Sequence, residues 1–114
     1  MKGADNMDTM TKDAKYLLAV IYKEYLLDIN NGVSKNVAKQ IGSSETINNK
    51  LVPDKLFDDV DETMRELERS YFLENFYADD VVYQSTLTDK SIVYMETKLV
   101  RGLKDMTEFL LKLK

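Results

Sequence analysis

Five carboxylates fall within nine residues: Asp54, Asp58, Asp59, Asp61 and Glu62. Carboxylates at that density can hold a divalent cation or, as a pair, cleave a glycosidic bond. Their spacing fits neither chemistry. A calcium loop alternates oxygen ligands around a turn that contains glycine, whereas this stretch has helical period and no glycine. Asp54, Asp58, Asp61 and Glu62 line one side of a helix instead, as a solvated acidic face or as a surface for a protein partner. The remaining catalytic repertoire is narrow. The chain has no His and no Cys, which removes imidazole bases, thiol nucleophiles, thiolate metal sites and disulfides. Its four Gly are not clustered, so there is no phosphate-binding loop. The expectation is a protein that is not an enzyme and needs no metal or cofactor.

A second set of residues has the chemistry to hold phosphate. Lys35, Asn36, Lys39 and Lys50 form the locally basic stretch of the core, and Arg65 and Arg69 lie within the acidic helix. Arg65 and Arg69 also have Asp61, Glu62 and Glu66 within helical reach, so ion pairing inside the helix competes with any external anion. The charges are unevenly spread. Residues 54–69 carry three basic against seven acidic side chains, and residues 70–87 carry no basic and three acidic ones. The stretch 54–87 is therefore at −7 in a chain of 114 residues whose total is −4. A surface of that sign repels a phosphate backbone.

Aromatic and aliphatic patterns add two further candidates. Tyr71, Tyr77 and Tyr83 cluster in one segment, either as a platform for stacking bases or, without cations nearby, as packing against the helices. Leu99, Leu103, Met106, Leu110 and Leu113 step by four and three, a two-heptad seam. That seam serves either a homodimer or packing on the first helix of the same chain.

These residues need elements to position them. Hydrophobic content of 44% and charged content of 32% suit one folded soluble domain. Residues 1–10 have no apolar core and read as a disordered leader, and no run approaches the ~20 apolar residues of a membrane span, so the expected compartment is the cytoplasm. Ala14, Leu17, Leu18, Ile21, Tyr25 and Ile29 form one stripe of a helix over 11–30, closed by Gly32. Ser34 caps a short helix over 35–41, ended by Gly42. Residues 43–52, rich in Ser, Asn and Thr, read as a loop from which Ile47 and Leu51 reach the core. A third helix is expected from Pro53 to about Arg69, with Leu56, Val60, Met64 and Leu67 inward. Residues 71–77 and 81–87 then form a β-hairpin about a turn at 78–80, with Val81, Tyr83 and Leu87 on one face. A short piece near Val33 is a candidate third strand. Thr88 caps a closing helix over 89–113, continuous or broken at Gly102.

Three helices, a two-stranded wing and a closing helix resemble the winged-helix fold. The passage from Val60 to Tyr77 looks like a winged-helix third helix running into its first wing strand. The passage from Tyr83 to Met95 is similar to a strand-to-helix junction of winged-helix regulators, matched at Leu87, Thr88 and Tyr94, with Ser91 where that pattern has Gly. Over residues 11–112 the chain resembles the YjcQ-like family of small bacterial and phage proteins. The likeness rests on Leu56-Phe57-Asp58-Asp59, the Asp79-Asp80 wing turn and the Leu87-Thr88 helix start. It implies a winged helix-turn-helix with an extra C-terminal helix and a bacterial or phage origin, but no assigned biochemical role. Winged helices commonly bind DNA through the third helix and wing, which leaves two expectations. One is a regulatory or accessory module that works by protein contact. The other is a DNA-binding transcriptional regulator.

Overall fold

The computed structural model describes residues 10–99 and 102–113, with only the backbone described at 98, 99 and 113. Its elements are α1 (Lys12–Asn30), α2 (Lys35–Ala38), α3 (Ser44–Leu51), α4 (Phe57–Arg69), β1 (Leu73–Ala78), β2 (Val81–Leu87), α5 (Asp89–Tyr94), a π-helical turn (Met95–Leu99) and α6 (Leu103–Leu113). The domain is mainly helical, with one antiparallel hairpin. Among the described residues no helix is long and apolar enough to cross a membrane.

Helix α1 is the central strut. Thr11 caps it by accepting the Ala14 amide at 3.1 Å, and Glu66 on α4 in turn accepts both the Thr11 amide and the Thr11 hydroxyl at 2.9 Å. Ala14, Leu17, Leu18, Ile21, Tyr22 and Tyr25 are buried, as the apolar stripe requires. Gly32 adopts φ +91°, a left-handed geometry that costs a side-chain-bearing residue about 1 kcal/mol. Most of the expected leader, residues 1–9, lies outside the described residues. Met10, assigned to that leader from sequence, is instead buried in the core at 7% exposure.

Three expectations for the middle of the chain are corrected. Residues 44–51 are a helix rather than a loop. Ser43 caps it by accepting the Thr46 amide at 3.0 Å, and Ile47 fixes the buried face. The helix expected from Pro53 begins only at Phe57. Residues 52–55 form a turn because Asn48 donates to the carbonyls of Val52 and Lys55, each at 3.0 Å. Pro53 and Asp54 sit in that turn. Finally, α2 stops at Ala38, and the chain continues as an extended rung. Ile41 N–H donates to Ser85 O at 3.0 Å and Leu87 N–H to Lys39 O at 2.8 Å, so Gln40 bridges Thr86 on the free side of β2. The third strand position is thus taken at 39–41, not near Val33.

The hairpin turns on Asp79 (φ +53°) and Asp80 (φ +64°), the two left-handed residues of a tight turn that matches strand twist. The register slips between Phe76 and Tyr77, so Tyr83 is the extra residue of a bulge. That extra residue reverses the alternation of β2. Val82, Ser85 and Leu87 are buried and Tyr83 is exposed, which overturns the expected Val81–Tyr83–Leu87 face. On the outer edge of β1 the Asn75 amide donates to Glu68 Oε2 at 3.2 Å, and the Tyr77 hydroxyl donates to the same carboxylate.

At the C-terminal end, the π-helical turn follows α5, and α6 starts directly after Gly102. Helix α6 packs against α1, with Met106 fully buried and Phe109 and Leu110 half-buried against the core. Leu103 is also half-buried. The side chains of Leu99 and Leu113 lie outside the described residues.

Candidate functional site

The site is organised around one buried carboxylate. Asp61 is 7% exposed on the inner side of α4. Its Oδ1 accepts the Ser44 hydroxyl at 2.6 Å and the Val82 amide at 2.9 Å, and its Oδ2 accepts Arg65 Nε at 2.8 Å. Burial by itself would raise this carboxyl, but the hydrogen bonds from Ser44, Val82 and Arg65 outweigh burial and hold it below the usual carboxylate range. One side chain thus ties α4 to the start of α3 and to β2. Asp61 is therefore not part of an acidic docking face, as the helix pattern suggested. A carboxylate spaced like a surface residue is tolerated inside because Ser44, Val82 and Arg65 satisfy its oxygens.

Around this junction, α3, the first turn of α4 and the start of β2 enclose an open groove of about 580 Å³. Its lining combines the rings of Phe57 and Tyr83 with Val81, the amides of Asn49 and Gln84 and the carboxylate of Glu45. Tyr83 is 62% exposed and meets Phe76, 64% exposed, in an edge-on contact with ring centres 6.4 Å apart. The bulge at Tyr83 makes this ridge, because it turns outward a ring that plain alternation assigns to the interior. Sequence periodicity carried no sign of it.

The expected tyrosine cluster divides in the same way. Tyr71 and Tyr83 are exposed rather than packed on the helices. Tyr77 is held at the surface by Glu68, with Arg65 4.9 Å from its ring centre. Tyr71 takes φ +65° just after α4, and Lys90 lies 5.4 Å from its ring centre.

The cations expected to meet phosphate are mostly occupied within the chain. Lys39 pairs with Asp89 at 2.6 Å and Lys50 with Glu24 at 3.0 Å. Arg65 pairs with Asp61 at 2.8 Å and donates to Asp80 O at 2.6 Å. Arg69 pairs with Glu62 at 3.0 Å, so the pairing within the acidic helix read from spacing is present. Lys35 and Asn36 are exposed on α2. Asp54, Asp58, Asp59, Glu74, Asp79 and Asp80 are exposed as well, so the acidic character of 54–87 reaches solvent. Glu62 is exposed beside Arg69. Among the described residues no three metal-ligating side chains come together.

Set beside known proteins, the chain stands apart. It matches no family model, no curated protein and no solved structure. The candidate surface is an aromatic ridge and groove, rimmed by carboxylates and built on a buried polar junction.

Proposed function

We propose that this chain is a small, non-enzymatic winged-helix module of the YjcQ-like kind, a cytoplasmic regulatory or accessory protein that works by protein contact. The winged-helix assignment is supported by element order. A first helix, an extended rung at 39–41, the helix pair α3 and α4, and a hairpin whose second strand takes the rung on its free side follow one another as they do in that fold. In this reading α4 is the third helix and α3, not α2, is the second.

The observation that carries the protein-contact reading is the state of the charges. Lys39, Lys50, Arg65 and Arg69 are each committed to a carboxylate of the same chain. The carboxylates at the start of α4 and at the hairpin tip face solvent. DNA affinity rises with the number of phosphates that free cations neutralise, and this face offers it little. Met106 of the α6 seam is turned inward, which supports a partner surface on α4 and the hairpin over a homodimer through α6.

The second reading, a DNA-binding transcriptional regulator, is favoured by element order and by the exposed Lys35 and Asn36. Fluorescence anisotropy with random duplex DNA at low salt separates the two. No micromolar binding is expected; micromolar binding that weakens steeply with added salt overturns the protein-contact reading.

A further inference from the structure

The groove beside Asp61 has unspent binding capacity. Among the described residues, the side chains of Asn49 and Glu45 and the Tyr83 hydroxyl line it with no hydrogen bond or ion pair within the chain. The volume, about 580 Å³, is in the range that takes an organic side chain or ligand. The aromatic ridge of Phe76 and Tyr83 continues the apolar surface beyond the groove. Large exposed rings of this kind are typical anchors of protein interfaces.

The charge around the groove selects the partner. Glu45 lies in the lining, Asp58 follows Phe57, and Asp79 and Asp80 precede Val81. Arg65, the nearby cation on α4, is held by Asp61 and by the Asp80 carbonyl. An incoming acidic or phosphate-bearing chain meets repulsion, and a basic one meets attraction that is not already satisfied.

On the protein-contact reading above, we infer that the groove and ridge seat a basic polypeptide segment, with an apolar side chain between Phe57 and Tyr83 and flanking Lys or Arg against Asp58, Asp79 and Asp80. The Asn49 side-chain amide can bond the backbone of such a segment, whose own polar groups would otherwise be left unpaired on burial. Gln84 adds only its carbonyl oxygen, because its Nε2 already donates to Gln40 Oε1 at 3.2 Å and Ser85 O at 3.4 Å.

The test uses the full chain and a fluorescein-labelled peptide that alternates lysine with leucine and phenylalanine. A control peptide of equal charge carries alanine in place of the apolar residues. The apolar peptide is expected to bind at least about tenfold more tightly than the alanine control. Tyr83→Ser and Phe76→Ser, both at exposed positions, are expected to remove most of that difference while circular dichroism and the urea midpoint stay unchanged. Asp58→Lys with Asp79→Lys is expected to weaken both peptides and flatten the salt dependence. Equal binding of the two peptides, or ring variants that bind like the parent, overturns the groove as the seat. If the charge variants alone lose binding, the acidic face still contacts protein and only the groove assignment falls. Absence of peptide binding overturns the inference, and salt-sensitive binding of duplex DNA in its place overturns the underlying reading as well.

Discussion

Ser44 and Asp61 sit 17 residues apart, and the Ser44 hydroxyl donates to Asp61 Oδ1 at 2.6 Å inside the domain. The same hydroxyl lies 3.2 Å from the Val82 carbonyl, whose residue returns its amide to Asp61. A serine on α3, a carboxylate on α4 and a strand amide therefore close one buried network. Breaking such a network costs more than the bonds are worth in isolation, because each orphaned group stays desolvated.

Asp61→Asn puts an amide N–H against the Arg65 guanidinium and removes the charge that three donors share. It is expected to destabilise the fold by about 2–3 kcal/mol. Ser44→Ala, which leaves the Val82 and Arg65 bonds in place, costs roughly 1–2 kcal/mol. Urea unfolding at neutral pH measures both. A midpoint unchanged by Asp61→Asn contradicts the junction.

Acid should expose the same network. The Asp61 carboxyl is held below its ordinary range in the folded chain, so the unfolded chain takes up its proton first as the pH falls. The stability from this group is complete above about pH 4 and is lost as the pH drops through the folded value. The gap in stability between the parent and Asp61→Asn therefore narrows below about pH 4. Urea titrations from pH 7 to pH 2.5 read it directly.

Alkali acts on a different residue. The Tyr22 hydroxyl is buried without a hydrogen-bond partner among the described residues. Burial, then Glu96 and Tyr25, push it up to about 12 from an ordinary value of 10.0. Between those values the folded chain keeps a proton that the unfolded chain releases, so stability falls as the pH rises. Tyr22→Phe removes this residue's share of the fall and leaves the shares of Tyr25, Tyr77, Lys39 and Lys50, which are also raised in the folded chain. At neutral pH the same change is expected to be neutral or stabilising by about 1 kcal/mol, since it deletes an unsatisfied buried group.

Asp80 occupies left-handed backbone at the hairpin tip, where glycine pays no steric cost. Asp80→Gly keeps the carbonyl that Arg65 bonds and is expected to raise stability by about 1 kcal/mol. Differential scanning calorimetry should record a higher Tm.

Met106 separates packing on α1 from self-association. It is fully buried within one chain, so Met106→Ala should cost about 2–4 kcal/mol through the cavity left behind. Its elution in size exclusion should match the parent's. A shift of the parent from dimer to monomer on this substitution would return the seam to an interface between copies.

Elements whose local preference and hydrophobic period agree were legible in the sequence. Helix α1 has a cap, a stripe and a terminating glycine, and the hairpin has aromatic strands around Asp79-Asp80. Helix α3 was hidden because Ser, Asn and Thr compete with the helical backbone for its own hydrogen bonds. The cap at Ser43 and the Ile47–Leu51 spacing are the local signals of this helix, set against a composition that favours a loop. The start of α4 was misplaced because Pro53 suits a helix start and a turn alike, and the choice is made by Asn48 from outside the segment. The candidate surface was half legible. Its charge is a property of the sequence alone, but Tyr83 faces out because of a one-residue slip against β1, and register across a hairpin has no local signature. Asp61 is legible only in part: its pairing with Arg65 follows from helical spacing, but its other partners come from residues 44 and 82, about which that spacing carries no information.

The carboxylate of Glu68, described above at the outer edge of β1, has a consequence for how copies of this protein behave at high concentration. A bare strand margin invites a foreign strand to extend the sheet, and from there fibrils grow. Here one margin of the hairpin is taken by the rung at 39–41, and on the other the Asn75 amide is spent on Glu68. Both margins of the hairpin backbone are thereby partly covered, which disfavours templated growth between copies even though the rings of Phe76 and Tyr83 stand exposed beside them.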